Sequence, residues 1–358
     1  MLEKYKDKRV LITGHTGFKG AWLCEILKIA GAEVVGYALE PEGQSLFRVG
    51  NMGKGMESVI GDIRDLESLH RVMEKYQPEV VFHLAAQPLV RKSYECPVET
   101  YETNIMGTVH LLECARKCNS VKSVLNVTTD KVYENKEWVW GYRENDTLNG
   151  FDPYSNSKSC SELVTDSYKK CFLNPCGIKV STARAGNVIG GGDFAKDRII
   201  PDCVRAAAGG EEIVVRNPYS IRPFQHVLEP LFAYLLIAER QIAVPELQGS
   251  YNIGPDEGDC CQVGELVEEF CTDWGEGLQW KAGQGQGAHE AKYLKLDNSK
   301  MKDTFGWEPI LTIKEAIAKT VEWSKCFLAG KDVKEVMDRQ ILGYAGQWKE
   351  KGIAQNKG

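Results

Sequence analysis

A glycine-rich turn near the N-terminus constrains the fold of this chain more than any other feature. The segment Gly14-His15-Thr16-Gly17-Phe18-Lys19-Gly20 directly follows the β-branched run RVLIT and opens the helical pattern AWLCEILKIAG. Glycines at these positions allow a tight turn and let backbone N–H groups approach a diphosphate at the positive end of a helix. The strand-turn-helix context therefore predicts a dinucleotide site, and we assign all of residues 14–20 to cofactor binding.

The first half of the chain alternates β-branched runs with helical patterns. The runs lie at 9–14, 33–39, 57–62, 79–86 and 123–130, and they are short and largely apolar, as buried parallel strands are. Between them lie amphipathic segments such as 98–118. This alternation predicts βαβ units, and hence an α/β fold with a Rossmann-type doubly wound parallel sheet.

The end of the second predicted strand bears on which dinucleotide binds. Sites for NAD usually carry an acid there, about 20 residues after the glycine turn, that holds the ribose. Tyr37 and Ala38 occupy this place, and the nearest acids are Glu33, Glu40 and Glu42. No basic residue stands beside them to accept the 2′-phosphate of NADP. We therefore expect NAD, with a loosely held ribose.

The alternation of strand and helix patterns ends after about residue 185. Gly- and Pro-containing loops such as GNVIGGGD and RNPYSIRPF replace the regular alternation. We interpret residues 1–185 as an NAD-binding Rossmann domain with a return segment near 220–254, and residues 186–358 mainly as a smaller C-terminal α/β substrate-binding domain. The segment from about 346 is polar, which predicts a disordered tail.

Composition excludes several classes of function. The 358 residues carry 44 Lys and Arg against 50 Asp and Glu, whereas proteins that bind nucleic-acid backbones usually present a basic face. No stretch reaches the ~18 apolar residues that cross a bilayer, and the charged start MLEKYKDKR is unlike a signal peptide. The 12 cysteines show neither a C-x-x-C pair nor a metal-ligand spacing. We expect a cytoplasmic protein with reduced thiols, no metal, no membrane association and no nucleic-acid partner.

A tyrosine-lysine pair carries the second chemical signal. Tyr154 and Lys158 follow Asp152-Pro153, which suits a helix start, and their spacing places phenol and ammonium on one helix face. A phenol is a poor base at neutral pH, and bringing its pKa from about 10 to about 7 needs about 4 kcal/mol of phenolate stabilisation. The Lys158 cation and a nicotinamide ring can supply it. Such pairs also occur by accident on exposed helices, but downstream of the glycine turn this one predicts a catalytic base.

The segment after the fifth predicted strand decides the type of reaction. Thr128-Thr129-Asp130-Lys131 lies at the carboxyl edge of the sheet, where open α/β folds bind ligands. After the hydroxyl of Thr129, the adjacent Asp130 and Lys131 place two further proton-transfer groups at the nicotinamide. The alternative is a surface ion pair in a loop, which the position at a strand end disfavours.

Seven segments of the chain together match the pattern of one enzyme family. They are GHTGFKGAWL, HLAAQPLVRKSY, NVTTDKVYENKEWVWGYRE, DPYSNSK, RAGNVIGGGD, RIIPD and RPFQHVLEPL. These segments strongly resemble the CDP-glucose 4,6-dehydratases, in the nucleotide-sugar branch of the extended short-chain dehydrogenase/reductase superfamily. The resemblance extends over about residues 5–325. The His15 and Lys19 forms of the glycine turn and the Asp130-Lys131 pair separate this family from the dTDP-glucose dehydratases, which carry Asp-Glu.

The resemblance implies a lyase that uses NAD without net oxidation. Tyr154, helped by Thr129 and Lys158, would remove the 4-hydroxyl proton of CDP-D-glucose while hydride passes from C4 to NAD. The 4-ketone acidifies the C5 proton, water leaves from C6, and the returning hydride gives CDP-4-keto-6-deoxy-D-glucose. Asp130 is similar to the family's general acid for the departing hydroxyl, and Lys131 stands where the C5 base is expected.

The resemblance also implies the binding residues and the oligomeric state. For NAD it adds to the glycine turn Asp62, Ile63, Leu84, Ala85, Ala86, Thr128, Tyr154 and Lys158. For the nucleotide sugar it indicates Gln87, Asn187, Arg198, Arg222 and Tyr293. Arg222 is the best motivated of these, because a guanidinium can bind phosphate in a bidentate manner. Helices at 98–118 and 153–172 form a dimer interface in the superfamily, so a homodimer or a higher homo-oligomer is expected.

Three other kinds of protein fit part of the pattern. A nucleotide-sugar 4-epimerase of the same fold would share Tyr154 and Lys158 but would not need Asp130 and Lys131. Another nucleotide-sugar 4,6-dehydratase of the same fold is a further alternative. A Rossmann-type redox sensor that binds a dinucleotide and a protein partner would not need the Tyr-Lys pair.

Overall fold

A seven-stranded parallel sheet forms the centre of the computed structural model, which describes residues 1–283 and 292–353. The strands of the chain are Arg9–Thr13 (β1), Glu33–Ala38 (β2), Glu57–Ile60 (β3), Val80–His83 (β4), Ser123–Val127 (β5), Lys179–Ala185 (β6), Val188–Ile189 (β7), Ile213–Val215 (β8), Ile221–Arg222 (β9), Gln225–His226 (β10), Ser250–Ile253 (β11), Cys261–Gln262 (β12) and Trp280–Ala282 (β13). The sheet has the order β11-β6-β5-β4-β1-β2-β3, and the remaining strands form three short pairs. The predicted fold class is therefore confirmed.

The helices cover both faces of this sheet and build the region beyond its carboxyl edge. They are Phe18–Ile29 (α1), Leu46–Val49 (α2), Leu66–Tyr76 (α3), Val90–Glu95 (α4), Pro97–Tyr101 (α5), Gly107–Lys117 (α6), Pro153–Tyr168 (α7), Ile199–Gly209 (α8), Leu228–Ala243 (α9), Val263–Trp274 (α10), Ser299–Phe305 (α11), Ile313–Leu328 (α12) and Val333–Glu350 (α13). A π-helical turn at Glu102–Met106 joins α5 to α6, and a second one at Lys169–Leu173 follows α7.

All five predicted strands are present, and each ends earlier than the sequence pattern indicates. The apolar run 79–86, for example, forms a strand only over Val80–His83. The residues that follow each strand do not pair with neighbouring strands and instead form the loops at the carboxyl edge. The pattern did not single out β6, because KVSTARA contains polar residues that are nevertheless buried, including Thr182 and Arg184.

Two apolar cores pack against the two faces of the sheet. One contains residues of α1, α9 and α13, and the other contains residues of α3 and α6. A third core packs α8, α10 and α12 around β8. This third core lies beyond the carboxyl edge, so a cleft separates it from the strand ends.

The predicted disorder from about residue 346 is wrong as far as Ile353. Helix α13 continues to Glu350, and Trp348 is buried against Phe232, with ring centroids 5.5 Å apart. Met337, Ile341, Tyr344 and Trp348 recur at helical spacing and are all buried, so an apolar stripe anchors this polar-looking segment. Among the described residues, no helix is both long and apolar enough to span a membrane.

Glu229 on α9 is a buried carboxylate that ties three segments together. Its Oε1 accepts hydrogen bonds from the backbone N–H groups of Ile310 and Leu311, and its Oε2 accepts one from the Tyr344 hydroxyl at 2.7 Å. Burial raises the pKa of Glu229 from its ordinary value of 4.5 to about 7. The folded protein therefore binds a proton that the unfolded chain releases between these two pH values.

We expect stability to depend on pH through Glu229. Because the folded-state pKa is raised, the contribution is full below about pH 4.5 and is lost as the pH rises through about 7. The difference between these pKa values corresponds to about 3 kcal/mol. Glu229→Gln keeps the acceptor for Ile310 and Leu311 but cannot ionise. Thermal unfolding between about pH 5.5 and pH 8 should show the wild type losing stability relative to this variant; parallel curves would contradict the assignment.

Candidate active site

A cleft of about 1790 Å³ lies at the carboxyl edge of the central sheet. Ligand pockets in proteins commonly measure about 300–1,000 Å³, so this cleft has room for two large ligands side by side. Of the predicted site residues, those that line it are Gly14, Thr16, Gly17, Phe18, Lys19, Gly20, Asp62, Ile63, Leu84, Ala85, Ala86, Gln87, Thr128, Thr129, Asp130, Lys131, Tyr154, Asn187, Arg198 and Arg222. His15, Lys158 and Tyr293 are described but are not among the lining residues.

The glycine turn forms a cradle that has no room for side chains. Gly14 has a φ of +77°, and a Cβ there would lie 2.7 Å from the backbone nitrogen of Ala85. A Cβ on Gly20 would lie 2.1 Å from the carbonyl oxygen of Gly14. Gly17 is the N-cap of α1 and offers no side-chain cap, so the first N–H groups of the helix are left for a ligand. This geometry fits the diphosphate of a dinucleotide.

The two side chains that distinguish this glycine turn point to different places. The His15 side chain is buried away from the cleft: its Nε2 lies 2.8 Å from Ser58 Oγ, and its ring fills the space above Gly36. Burial lowers the pKa of His15 to about 4, so the ring is neutral. Lys19 instead lines the cleft, with Nζ 3.5 Å from the Tyr234 hydroxyl. The structure therefore gives the His15 side chain a packing role and leaves only its backbone in the turn.

Lys19 joins a group of cations at the inner end of the cleft. Burial lowers its pKa to about 7, and the nearby charges of Lys158 and Arg198 add to this effect, whereas Asp130 opposes it. The sequence assigned Lys19 to the glycine turn without indicating these neighbours. An anionic ligand would relieve the repulsion among the three cations.

At the end of β2, Tyr37 occupies the position where NAD sites usually carry the acid that holds the ribose. Tyr37 is fully buried, and its hydroxyl donates to the carbonyl oxygen of Asp62 at 2.8 Å. Asp62 itself lines the cleft and is held by Arg64, whose guanidinium donates to both carboxylate oxygens and keeps the pKa of Asp62 low. Glu40 and Glu42 also line this part of the cleft. Tyr37 thus connects β2 to the loop after β3 through this hydrogen bond.

The loop after β4 continues the cofactor side of the cleft. Leu84, Ala85 and Ala86 line it. The predicted substrate residue Gln87 lines it too, but its side chain holds its own loop: Nε2 donates to Leu89 O and Thr100 Oγ1, and Oε1 accepts from Leu89 N. Its amide groups are therefore already engaged within the protein.

The loop after β5 brings the proton-transfer groups together. Asp130 is fully buried, and its Oδ1 accepts hydrogen bonds from Thr129 Oγ1 at 2.9 Å and from Lys131 Nζ at 3.0 Å. The side chain of Lys131 is 30% exposed. The three residues thus form one hydrogen-bonded group, with Lys131 facing the open side of the cleft.

Helix α7 delivers the tyrosine-lysine pair to the same place. Asp152 caps the helix by accepting from Ser155 N at 2.9 Å, and Pro153 occupies the first turn. Burial raises the pKa of Tyr154 to about 12, while a hydrogen bond with Thr129 opposes this rise. The Nζ of Lys158 donates to Val127 O at 3.1 Å, and burial lowers the pKa of Lys158 to about 8.

The environment of Tyr154 differs from the sequence expectation. Its phenol is neutral in the protein alone, and ionisation near pH 7 instead of about 12 requires about 7 kcal/mol of stabilisation from bound ligands. This stabilisation exceeds the about 4 kcal/mol that the reference pKa of tyrosine indicates, because the sequence does not reveal the desolvation caused by burial.

The residues predicted to bind the nucleotide sugar come mainly from the segments around β6–β9. Asn187 presents a buried Oδ1 that has no hydrogen-bond donor among the described residues. Arg198, at the N-cap of α8, donates to Asp193 Oδ2 at 2.8 Å, and Arg222 is mostly buried at the end of β9. Tyr293 pairs with Ile221 through a backbone bridge, next to Arg222 but outside the lining.

Two clusters in and around the cleft were missed by the sequence analysis. Glu162 of α7 accepts hydrogen bonds from Thr128, Thr182 and Arg184 beneath the catalytic loop. At the cleft mouth, Asp197 pairs with Arg91 at 2.9 Å and with Arg216 at 3.2 Å. Each cluster joins residues far apart in sequence, so no local pattern indicates it. Within the described ranges, no three His, Cys, Asp or Glu side chains converge to hold a metal ion.

Comparison with known proteins identifies the family of the chain. Residues 11–320 match the family model described as GDP-mannose 4,6 dehydratase. A CDP-glucose 4,6-dehydratase of Salmonella typhimurium is 48% identical over 353 residues, which cover 96% of this chain and 98% of that protein. A dTDP-glucose 4,6-dehydratase of Xanthomonas campestris is 26% identical, over 87% of this chain and 92% of that protein.

Solved structures share the fold. The UDP-glucose 4-epimerase of Thermotoga maritima, solved with UDP-glucose, has a TM-score of 0.78 and 25% identity, covering 89% of this chain and 99% of that one. A dTDP-glucose 4,6-dehydratase of Bacillus anthracis, solved with NAD, has a TM-score of 0.74 and 23% identity, covering 89% of this chain and 96% of that one. By the family model and by its identity to the Salmonella protein, the chain belongs to the GDP-mannose 4,6 dehydratase family and, within it, to the CDP-glucose 4,6-dehydratases.

Proposed function

We propose that the protein converts CDP-D-glucose to CDP-4-keto-6-deoxy-D-glucose and water with NAD as an internal redox carrier. The observation that carries this proposal is the hydrogen-bonded group Thr129-Asp130-Lys131 on the same cleft wall as Tyr154. When bound, NAD would take a hydride from C4 of the sugar and return it to C6. The remaining steps are proton transfers at the 4-hydroxyl, at C5 and at the 6-hydroxyl, and the cleft supplies a separate group for each of these three positions.

Several segments of the chain would contact NAD. The N–H groups at the start of α1 and the side chain of Lys19 would bind the diphosphate, as the cradle at Gly14 and Gly20 supports. Asp62 and Ile63 would meet the adenine end, and Leu84, Ala85, Ala86 and Thr128 would line the rest. Lys158 lies behind the wall and would act near the nicotinamide through its charge.

Tyr154, Asp130 and Lys131 would divide the proton transfers. Tyr154 takes the proton of the 4-hydroxyl, with Thr129 as its hydrogen-bond partner. Asp130 would give a proton to the departing 6-hydroxyl, and Lys131 would take the proton from C5 and return one to C5 when the hydride adds to C6. Because Lys131 Nζ already lies 3.0 Å from Asp130 Oδ1, the two groups would exchange protons as one unit.

Arginines would bind the diphosphate of the nucleotide sugar. Arg222 and Arg198 both line the cleft, and a guanidinium matches the geometry of phosphate oxygens. The buried Oδ1 of Asn187 lacks a donor among the described residues, which suits a sugar hydroxyl as its partner. Tyr293 and Gln87 would shape this end of the cleft through the backbone of their loops.

A 4-epimerase is the main alternative, since solved 4-epimerases share the fold. An epimerase needs only the tyrosine-lysine pair, whereas the buried Asp130 and its partner Lys131 serve an elimination. A different nucleotide-sugar 4,6-dehydratase is the second alternative, and here the 48% identity to the Salmonella enzyme favours CDP-glucose.

The protein would act as a cytoplasmic homodimer or higher homo-oligomer, with no nucleic-acid or membrane partner. Supporting this, Val98 and Leu163 are 69% and 58% exposed on α5 and α7, and Met106 and Phe172 near these helices are also exposed. Large exposed apolar side chains on neighbouring helices are typical of a protein interface. The product would enter deoxysugar biosynthesis, such as that of lipopolysaccharide O-antigen.

A panel of nucleotide sugars tests the proposal. With a catalytic amount of NAD, we expect CDP-glucose to lose one water and to form an alkali-developed 4-keto-sugar chromophore, while dTDP-, UDP- and GDP-glucose react far more slowly. NADH should not accumulate in stoichiometric amounts, because oxidation at C4 and reduction at C6 balance. Formation of CDP-galactose would instead identify an epimerase, and a different preferred base would identify another dehydratase.

A further inference from the structure

The carboxyl group of Asp130 is held on one side only. Its Oδ1 accepts from Thr129 and Lys131, whereas its Oδ2 is buried and has no hydrogen-bond donor in the described part of the chain. The position of this second oxygen must therefore be set by the packing of the atoms around it.

Gly186 leaves the space in which this oxygen packs. It directly follows β6 and lies beside the loop that carries Asp130. A Cβ on Gly186 would lie 2.4 Å from Asp130 Oδ2 and 2.8 Å from Asp130 Cγ, both closer than real Cβ contacts. The backbone does not itself require glycine there, since Gly186 is not among the residues with positive φ. The space left by the absent side chain is thus occupied by the carboxyl group.

We propose that Gly186 is a positioning residue for Asp130, an inference that rests on the proposed function for the role of Asp130 as general acid. With glycine at 186, Oδ2 lies beside Gly186 while Oδ1 keeps its contacts with Thr129 and Lys131. A methyl group at 186 would push the carboxyl out of this place and separate Asp130 from Lys131.

Gly254 offers a matched control. It follows β11 as Gly186 follows β6, and the two positions are adjacent because Ile253 pairs with Ala185. Both glycines are buried, but a Cβ on Gly254 would meet only Leu296, at an ordinary 3.5 Å. Gly254→Ala therefore repeats the chemical change at the same sheet edge without touching Asp130.

Thermal unfolding without substrate tests the contact directly. We expect Gly186→Ala to lower Tm clearly more than Gly254→Ala does. In an Asp130→Ala background, at least half of the Gly186→Ala loss should disappear; the rescue is partial because Pro223 Cγ would remain 2.9 Å from the new Cβ. Equal losses from Gly186→Ala in both backgrounds would overturn the proposal, whatever reaction the enzyme catalyses.

Kinetics then separate a positioning role from general damage. Gly186→Ala should lower the formation of 4-keto-6-deoxy product by about 100-fold or more, the range of a lost general acid. The first oxidation, followed in a single turnover by the absorbance of the reduced nicotinamide, should fall by less than about 10-fold, and Gly254→Ala should change neither step appreciably. Equal losses in both steps for Gly186→Ala would overturn the positioning role.

Discussion

Replacing Tyr154 by Phe should lower the first oxidation by about 1,000-fold or more, because the variant lacks the group that we propose takes the 4-hydroxyl proton. The ring stays, so the packing of the mostly buried side chain is kept. Rapid mixing of enzyme, NAD and CDP-glucose should then give no reduced-nicotinamide absorbance on the time scale of the wild type.

Asp130→Asn is the matched control for this prediction. It removes the acid but keeps the size of the side chain, and in the proposed mechanism Asp130 would act only when the 6-hydroxyl leaves. We expect the Asn variant to form the reduced nicotinamide and then to stall before product. If both variants lose hydride transfer to the same extent, the division of roles between Tyr154 and Asp130 is wrong.

Replacing Lys131 by Met should abolish proton transfer at C5 while leaving the first oxidation measurable. Met keeps the length of the side chain without a basic group, and removal of one general base typically costs about 10²–10⁴ in rate. Deuterium incorporation from heavy water at C5 of the recovered sugar reports this step. The side chain of Lys131 is partly exposed and contacts Asp130 alone among the described hydrogen-bond partners of its ammonium group, so misfolding is not expected.

Lys131→Glu separates a base from a positive charge. A carboxylate can accept the C5 proton but cannot polarise the 4-ketone, so part of the exchange that Met abolishes should return. Near wild-type exchange in the Met variant would show that another group or water is the base. Failure of Glu to restore any exchange would indicate that Lys131 acts through its charge.

The sequence predicted the parts of the site that depend on local pattern. The glycine turn, the strand ends and the tyrosine-lysine spacing each lie within one βα unit, and the predicted residues of these segments largely meet at one cleft. The segment after β5 was predicted in the same way, because parallel strands end at one edge of the sheet.

The sequence could not predict contacts between distant segments or the effects of burial. Gly186 meets Asp130 only because β6 pairs with β5, and the ring of His15 turns inward because Gly36 on the neighbouring β2 leaves space for it. The raised pKa of Tyr154 and the lowered pKa of Lys19 both follow from desolvation, which a spacing cannot reveal. The composition of the segment from about 346 predicts disorder, although buried side chains such as Tyr344 and Trp348 hold helix α13 against the core.

The central claim is that one hydride leaves C4 and returns at C6 of the same sugar. CDP-glucose carrying deuterium at C4 tests it most directly, with mass spectrometry and NMR of the product after complete turnover on catalytic NAD. The account predicts that the deuterium is found on the C6 methyl group, with water lost from the sugar. Deuterium that remains at C4 of an intact hexose would show epimerisation instead, and deuterium found in free NADH would contradict the internal return of the hydride.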